Sequence, residues 1–325
     1  MKTNILYIMF VMAVFATITD PSRGCDCVRP EADIKDVDPS VVCINVEVSF
    51  DATDSEDPDE TTLSYSWDFG DGVKEGSIKD ETTATPKCTY DTTGTKTITV
   101  TVTDNDNPEC CTGVGCSDQD DNASTTLEII DGNLTVLPRK AYVCVGGEKD
   151  FTAWICLDSD ATDVTDSSIF TTNNGEFDEG EGENTLTAGQ TASTSEGANW
   201  VKAEYNEEIT DSSHDCDLTV VDVTIVGTIG RIPPTKTKTV QVTVSPSLTG
   251  GIVVLRIAAT GTGSATVVPT SITSTENVIV TGGSQSSSAN DLSLEAKVDG
   301  CVCDSQDFTV CAHPVDMDPH FPGKP

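Results

Sequence analysis

Chemistry in this chain would have to come from its acids, its cysteines or its tryptophans. Three groups of oxygen-bearing side chains are close enough to share a turn: Asp54, Asp57 and Asp59; Asp104, Asp106 and Asn107; and Asp158, Asp160 and Asp163. Calcium takes several oxygen ligands from loops of this kind. Asp54, Asp57, Asp59, Asp104 and Asp106 are therefore the candidate metal residues, although no run follows the EF-hand loop with its closing glutamate. Acidic turns also arise by composition alone in a chain this acidic. Cys25-x-Cys27 and Cys301-x-Cys303 are spaced more tightly than zinc knuckles. Asp68-Phe69-Gly70 matches the metal-binding triplet of protein kinases, but the His-Arg-Asp loop, strand lysine and glycine-rich loop that should accompany it are missing. The three histidines, His214, His313 and His320, do not compose a hydrolytic triad. A paired-carboxylate hydrolase would need a large cleft, which small β-domains do not offer. No catalytic residue and no cofactor other than calcium is expected. Trp67, Trp154 and Trp200 could stack on sugars if exposed, but each lies in an alternating run, so core packing is expected.

The whole chain sets the compartment. Its 325 residues carry a formal charge of -36, from 54 acidic and 18 basic side chains. Such a surface repels nucleic acid and anionic lipid, so neither is expected as a partner. Lys2 followed by the apolar run Ile5 to Ala16 reads as a signal peptide over residues 1–19. That run is short for a membrane span, and no later stretch is long and apolar enough for one. Thirteen cysteines in an exported chain read as disulfides, with at least one thiol left over. Asn122-Ala123-Ser124 and Asn133-Leu134-Thr135 match glycosylation acceptors.

The elements that position these residues are strands. Leu63, Tyr65, Trp67 and Phe69 fall on every second position, the period of a half-buried strand. The strand runs into Gly70-Asp71-Gly72, where glycines permit the positive φ of a tight turn. Val46, Val48 and Phe50 form a second alternating run, residues 85–90 a third, short extended segment, and Ile98, Val100 and Val102, with threonines between them, an amphipathic β-branched strand. Phe50, Tyr65, Trp67, Phe69, Tyr90, Val100 and Val102 are the expected core. Ser49-Phe50-Asp51-Ala52, Asp57-Pro58-Asp59, Tyr65 to Gly72, Tyr90, Gly94 and Val100-Thr101-Val102-Thr103-Asp104 together resemble a PKD (polycystic kidney disease) domain over residues 40–105. The resemblance implies an immunoglobulin-like β-sandwich, found in surface proteins and as an accessory module of secreted enzymes. It implies no catalytic residues. Cys88 departs from the pattern, and Cys43 is its expected partner because the two flank strands that could be neighbours.

Residues 20–39 read as a linker, and 106–131 as a cysteine-rich acidic linker. Cys110, Cys111 and Cys116 in the second linker could staple to Cys25 or Cys27, with the connectivity open. A second immunoglobulin-like β-domain is expected over 132–221, resembling bacterial surface adhesins in strand spacing. Its Cys144, Cys156 and Cys216 allow one internal bridge. A third β-domain follows over 222–312, with Cys301 or Cys303 expected to pair with Cys311 across a hairpin at residues 304–307. Residues 313–325 read as a disordered tail. The expected fold is thus all-β: tandem immunoglobulin-like sandwiches stapled by disulfides, with no catalytic domain. The expected role is a secreted or cell-surface binding and spacer protein for an extracellular protein or polysaccharide. The alternative is the substrate-binding accessory fragment of a secreted hydrolase.

Overall fold

The computed structural model describes residues 29–58, 62–104, 120–178, 180–206, 208–209, 215–286 and 288–311. The expected signal peptide, the tail, Cys25, Cys27, Cys110, Cys111, Cys116 and all three histidines lie outside these residues. Among the described residues there are twenty-five strands, no α-helix and one 3-10 turn at Thr165–Ser167. None of them forms a helix long and apolar enough to cross a membrane. Three buried apolar clusters mark three sandwiches in series.

The first sandwich contains β1 (Val41–Cys43), β2 (Glu47–Ser49), β3 (Leu63–Asp68), β4 (Lys87–Thr89), β5 (Gly94–Asp104) and β6 (Asp120–Ile130). One sheet runs β1-β6-β5-β3, and β2 pairs with β4 in the other. Alternation works as expected along β5, where Ile98, Val100 and Val102 are fully buried. Tyr65 lies opposite Val102 and Trp67 opposite Val100. Phe50, Phe69 and Tyr90 are buried, with Tyr65 and Trp67 packed partly buried against them. The Phe50 and Phe69 ring centroids are 5.5 Å apart, and Trp67 stacks on Phe69 at 6.0 Å.

Two of the expected linkers are corrected. Residues 120–130, assigned to the second linker, form a strand that pairs with β5 from Gly94–Ile129 to Thr103–Asp120. The core side of β6 starts with the small or polar Asp121, Ala123 and Thr125 and turns apolar only at Leu127, so its period was hidden. The described part of the first linker packs on the same sandwich. Ile34 is buried in its core, Glu31 bridges Glu56, and Arg29 Nη2 pairs with Asp121 Oδ1 at 2.6 Å.

The second sandwich takes β7 (Thr135–Leu137), β8 (Lys140–Cys144), β9 (Glu148–Asp150), β10 (Thr152–Leu157), β11 (Asp160–Asp163), β12 (Ile169–Thr172), β13 (Gly175–Phe177), β14 (Thr185–Ala188), β15 (Asn199–Tyr205), β16 (Glu208–Ile209) and the first half of β17 (Cys216–Val226). Leu134, Phe151, Leu186 and Leu218 fill its centre. Trp154 and Trp200 are not core residues. Ala153 and Ile155, and likewise Val201 and Ala203, take the inward positions, so alternation turns both indoles to the other face, half-buried. There Trp154 Nε1 donates to Thr152 Oγ1 at 3.0 Å, and Lys202 Nζ lies 5.2 Å from the Trp200 ring centre.

The third sandwich uses the rest of β17 with β18 (Gly230–Ile232), β19 (Thr237–Ser245), β20 (Val253–Ala259), β21 (Ala265–Val268), β22 (Ser271–Ile272), β23 (Glu276–Gly282), β24 (Leu292–Val298) and β25 (Cys301–Val310). Strands β17-β19-β23-β21 line one sheet and β18-β25-β24-β20-β22 the other. The expected boundary at 221/222 therefore falls inside a continuous strand. Leu218 and Val220 belong to the second core, and Val221, Val223 and Ile225 to the third. The two-residue period slips by one at Val220-Val221, so a single strand serves two cores. All three sandwiches close alike, with a short early strand parallel to the last one: β1 with β6, β8 with β17 and β18 with β25.

Candidate functional site

The conspicuous Trp67 to Gly72 stretch is a structural corner. Gly70 and Gly72 have φ of 71° and 72°, and the Asp68 carboxylate accepts the Gly70 N–H at 2.9 Å. A Cβ on Gly72 would stand 1.7 Å from Thr92 Oγ1. Beneath the turn the Tyr90 hydroxyl donates to the Phe69 carbonyl at 2.9 Å, and burial raises its pKa far above the usual phenol range. Lys96, almost wholly buried, donates to Thr92 Oγ1 at 3.0 Å and pairs with Asp71 at 3.4 Å. Neighbouring Cys88 is a buried free thiol whose pKa burial pushes up to about 11. The hydrogen bonds of Asp68, Tyr90 and Lys96 hold the corner.

The candidate metal residues are dispersed. Asp54 Oδ1 pairs with Lys35 Nζ at 3.3 Å, and Asp163 Oδ1 accepts from the Thr165 N–H and hydroxyl at 2.9 and 2.5 Å. Asp57 and Asp104 lie on separate segments, and Asp59 and Asp106 fall outside the described residues. Among the described residues, no three histidine, cysteine or acidic side chains gather to hold a metal ion.

What the fold does bring together lies at the two joints between sandwiches. Cys43 bonds to Cys156 and Cys144 to Cys303, with Cα–Cα distances of 5.9 and 5.2 Å. Among the described residues, these bridges replace the pairings expected for Cys43, among Cys144, Cys156 and Cys216, and for Cys303 or Cys301 with Cys311. Cys43 does not meet Cys88: Val42 points into the first core, so alternation turns Cys43 outward to the next sandwich, while Cys88 on β4 faces inward. Cys144 and Cys156 both leave their own sandwich, and Cys216 stays a buried thiol pushed up to about 12 by burial. The expected hairpin before Cys311 is instead the interior of β25, and Cys311 is a free, buried thiol. Along β25 the pairing with β24 slips between Ala296 and Lys297, leaving Cys303 as the extra residue of a β-bulge. Bulges re-aim side chains, and this one sits where Cys303 reaches the second sandwich.

Polar groups reinforce both joints. At the first, Arg139 pairs with Glu128 and reaches the Ile129 carbonyl. At the second, Lys149 pairs with Asp299, and Glu196 clamps the loop that leads into β20. Its carboxylate accepts from the Tyr142 and Thr249 hydroxyls, from the Thr249 N–H at 2.6 Å and from the Gly250 N–H at 2.8 Å. The hydrogen bonds from the Thr249 and Tyr142 hydroxyls hold the Glu196 carboxyl at about 2. Burial, then the Glu196 contact, pushes Tyr142 up to about 12. Nothing about Ser195-Glu196-Gly197 in the sequence signals this role, because its partners are 53 and 54 residues away.

Residues 27–115 match the family model of the PKD domain. The chain carries a PKD domain. Strand β6 lies beyond the matched stretch and yet completes the domain's sheet. Among solved structures, the PKD domain from KIAA 1837 protein is similar at 20% identity, over 31% of this chain and 86% of that one, with a TM-score of 0.23. The I9-I11 tandem from titin is similar at 12% identity, over 86% of this chain and 98% of that one, with a TM-score of 0.23. A nucleoside hydrolase-related hypothetical protein from Saccharophagus degradans is similar at 19% identity and TM-score 0.24, over 32% of this chain and only 26% of that one. No curated protein matches the chain. The fold is a tandem of immunoglobulin-like β-sandwiches headed by the PKD domain.

Proposed function

We propose that this is a secreted or cell-surface protein that acts as a stiff, non-catalytic spacer. Its three sandwiches hold end loops at fixed separations for an extracellular protein or polysaccharide. The observation that carries this reading is that each joint is closed covalently, by Cys43–Cys156 and by Cys144–Cys303. A bridge inside one sandwich would stabilise that sandwich alone; a bridge between two fixes their relative placement. Disulfides persist in oxidising compartments, and the net charge of -36 favours a solvated, repulsive surface that does not self-associate.

The deciding experiment is an array of extracellular matrix proteins and glycans probed with the purified mature chain. Saturable binding to a protein or soluble glycan, kept by the intact rod and weakened when single sandwiches are presented, is the expected result. Binding only to insoluble polysaccharide would move the assignment to the accessory module of a hydrolase. Turnover of any arrayed glycan would overturn the non-catalytic reading.

A further inference from the structure

Three sulfurs, not two, stand at the second joint. Cys301 and Cys303 both lean from β25 against the third core, half-buried. Cys303 bonds to Cys144, and the free Cys301 thiol donates to the Glu148 carbonyl at 3.7 Å. The two side chains therefore cross the same gap into one short segment, residues 144–148, which folds back on itself through the Gly147 N–H to the Cys144 carbonyl at 2.9 Å. Cys144 Sγ also lies 3.8 Å from the Cys301 carbonyl oxygen, so the residue carrying the free thiol touches the bridge itself.

We propose that this staple is movable: Cys144 is shared between Cys303 and Cys301 by internal thiol–disulfide exchange. The Cys301 thiolate attacks Cys144 Sγ. The Cys144–Cys301 bond forms as the Cys144–Cys303 bond breaks, and the electron pair leaves on Cys303 Sγ, which takes up the proton that Cys301 released. One disulfide and one thiol stand on each side, so no oxidant or reductant is consumed. The strand offers two anchor points two residues apart, roughly 6.6–6.8 Å along it. The joint thus stays covalently closed in either form while its anchor shifts from the bulge to the first residue of β25. The exchange concerns the joint alone and does not depend on which partner the rod binds.

The test uses the full mature chain. It is held in mildly alkaline buffer without added thiol, quenched in acid and alkylated, and its linkages are mapped by mass spectrometry. Both Cys144–Cys303 and Cys144–Cys301 peptides are expected, with label on Cys303 within about tenfold of that on Cys301. Cys301→Ser should abolish the second linkage and leave Cys303 unlabelled. Cys303→Ser should still carry a bridge, now to Cys301. Label confined to Cys301 in the wild-type chain overturns the proposal, as does a folded Cys303→Ser chain in which Cys144 and Cys301 both take label. If Cys303→Ser fails to fold, the wild-type labelling alone decides.

Discussion

Single residues at the PKD corner and at the second joint make opposite kinds of prediction. Phe50 is buried against both Trp67 and Phe69, so Phe50→Ala should cost about 3–5 kcal/mol, read as an earlier denaturant midpoint for the first sandwich. Gly72→Ala must place a methyl on Thr92 Oγ1 at a positive φ and should cost about 1–3 kcal/mol from backbone strain alone. At the joint the sensitive variable is pH. Glu196 has a folded pKa of about 2, below the ordinary 4.5. A depressed carboxylate contributes stability that is present above the unfolded value and lost as pH falls through the folded one. The clamp should therefore release between about pH 4.5 and 2, seen as a falling melting temperature, and Glu196→Gln should flatten that dependence. The corner was legible in the sequence because Leu63, Tyr65, Trp67 and Phe69 share one face of one strand. Trp154 and Trp200 were not, because alternation shows that a strand has two faces without saying which is covered. Glu196 was invisible, because its hydrogen bonds join segments far apart in sequence.

For whole elements, the decisive one is β6. It lies between β1 and β5 in the first sheet, so a chain ending at residue 105 lacks the strand to which both pair. A fragment of residues 29–105 should remain unfolded or aggregate through the exposed edge of β5, whereas 29–131 should show cooperative melting and dispersed amide resonances. A well-folded shorter fragment would show β6 to be dispensable. β5 announced itself with β-branched residues in strict alternation. β6 did not, because its first half carries Asp121, Ala123 and Thr125 on the covered side. The boundary inside β17 was hidden for another reason: Val220 and Val221 read as one apolar pair, and only the flanking cores show that they point in opposite directions.

The molecule as a whole should scatter X-rays as one extended body. Cys43–Cys156 spans 113 residues, a loop whose closure is worth about 4–5 kcal/mol on chain-entropy grounds. Cys156→Ser should leave the sandwiches folded yet broaden the distribution of overall lengths in small-angle scattering; an unchanged profile would mean that packing alone holds the joint. The sequence disclosed an all-β tandem of sandwiches stapled by disulfides. It did not disclose the pairing, because connectivity depends on which way each strand's odd residues face. The separations of 113 and 159 residues also carry a message about biosynthesis. A chain folds from its N-terminus as it emerges, so Cys43 must wait, reduced, until β10 has been made, and Cys144 until β25. Neither bridge can close on a truncated or misfolded successor. Each native bond is thus a receipt issued by the next domain.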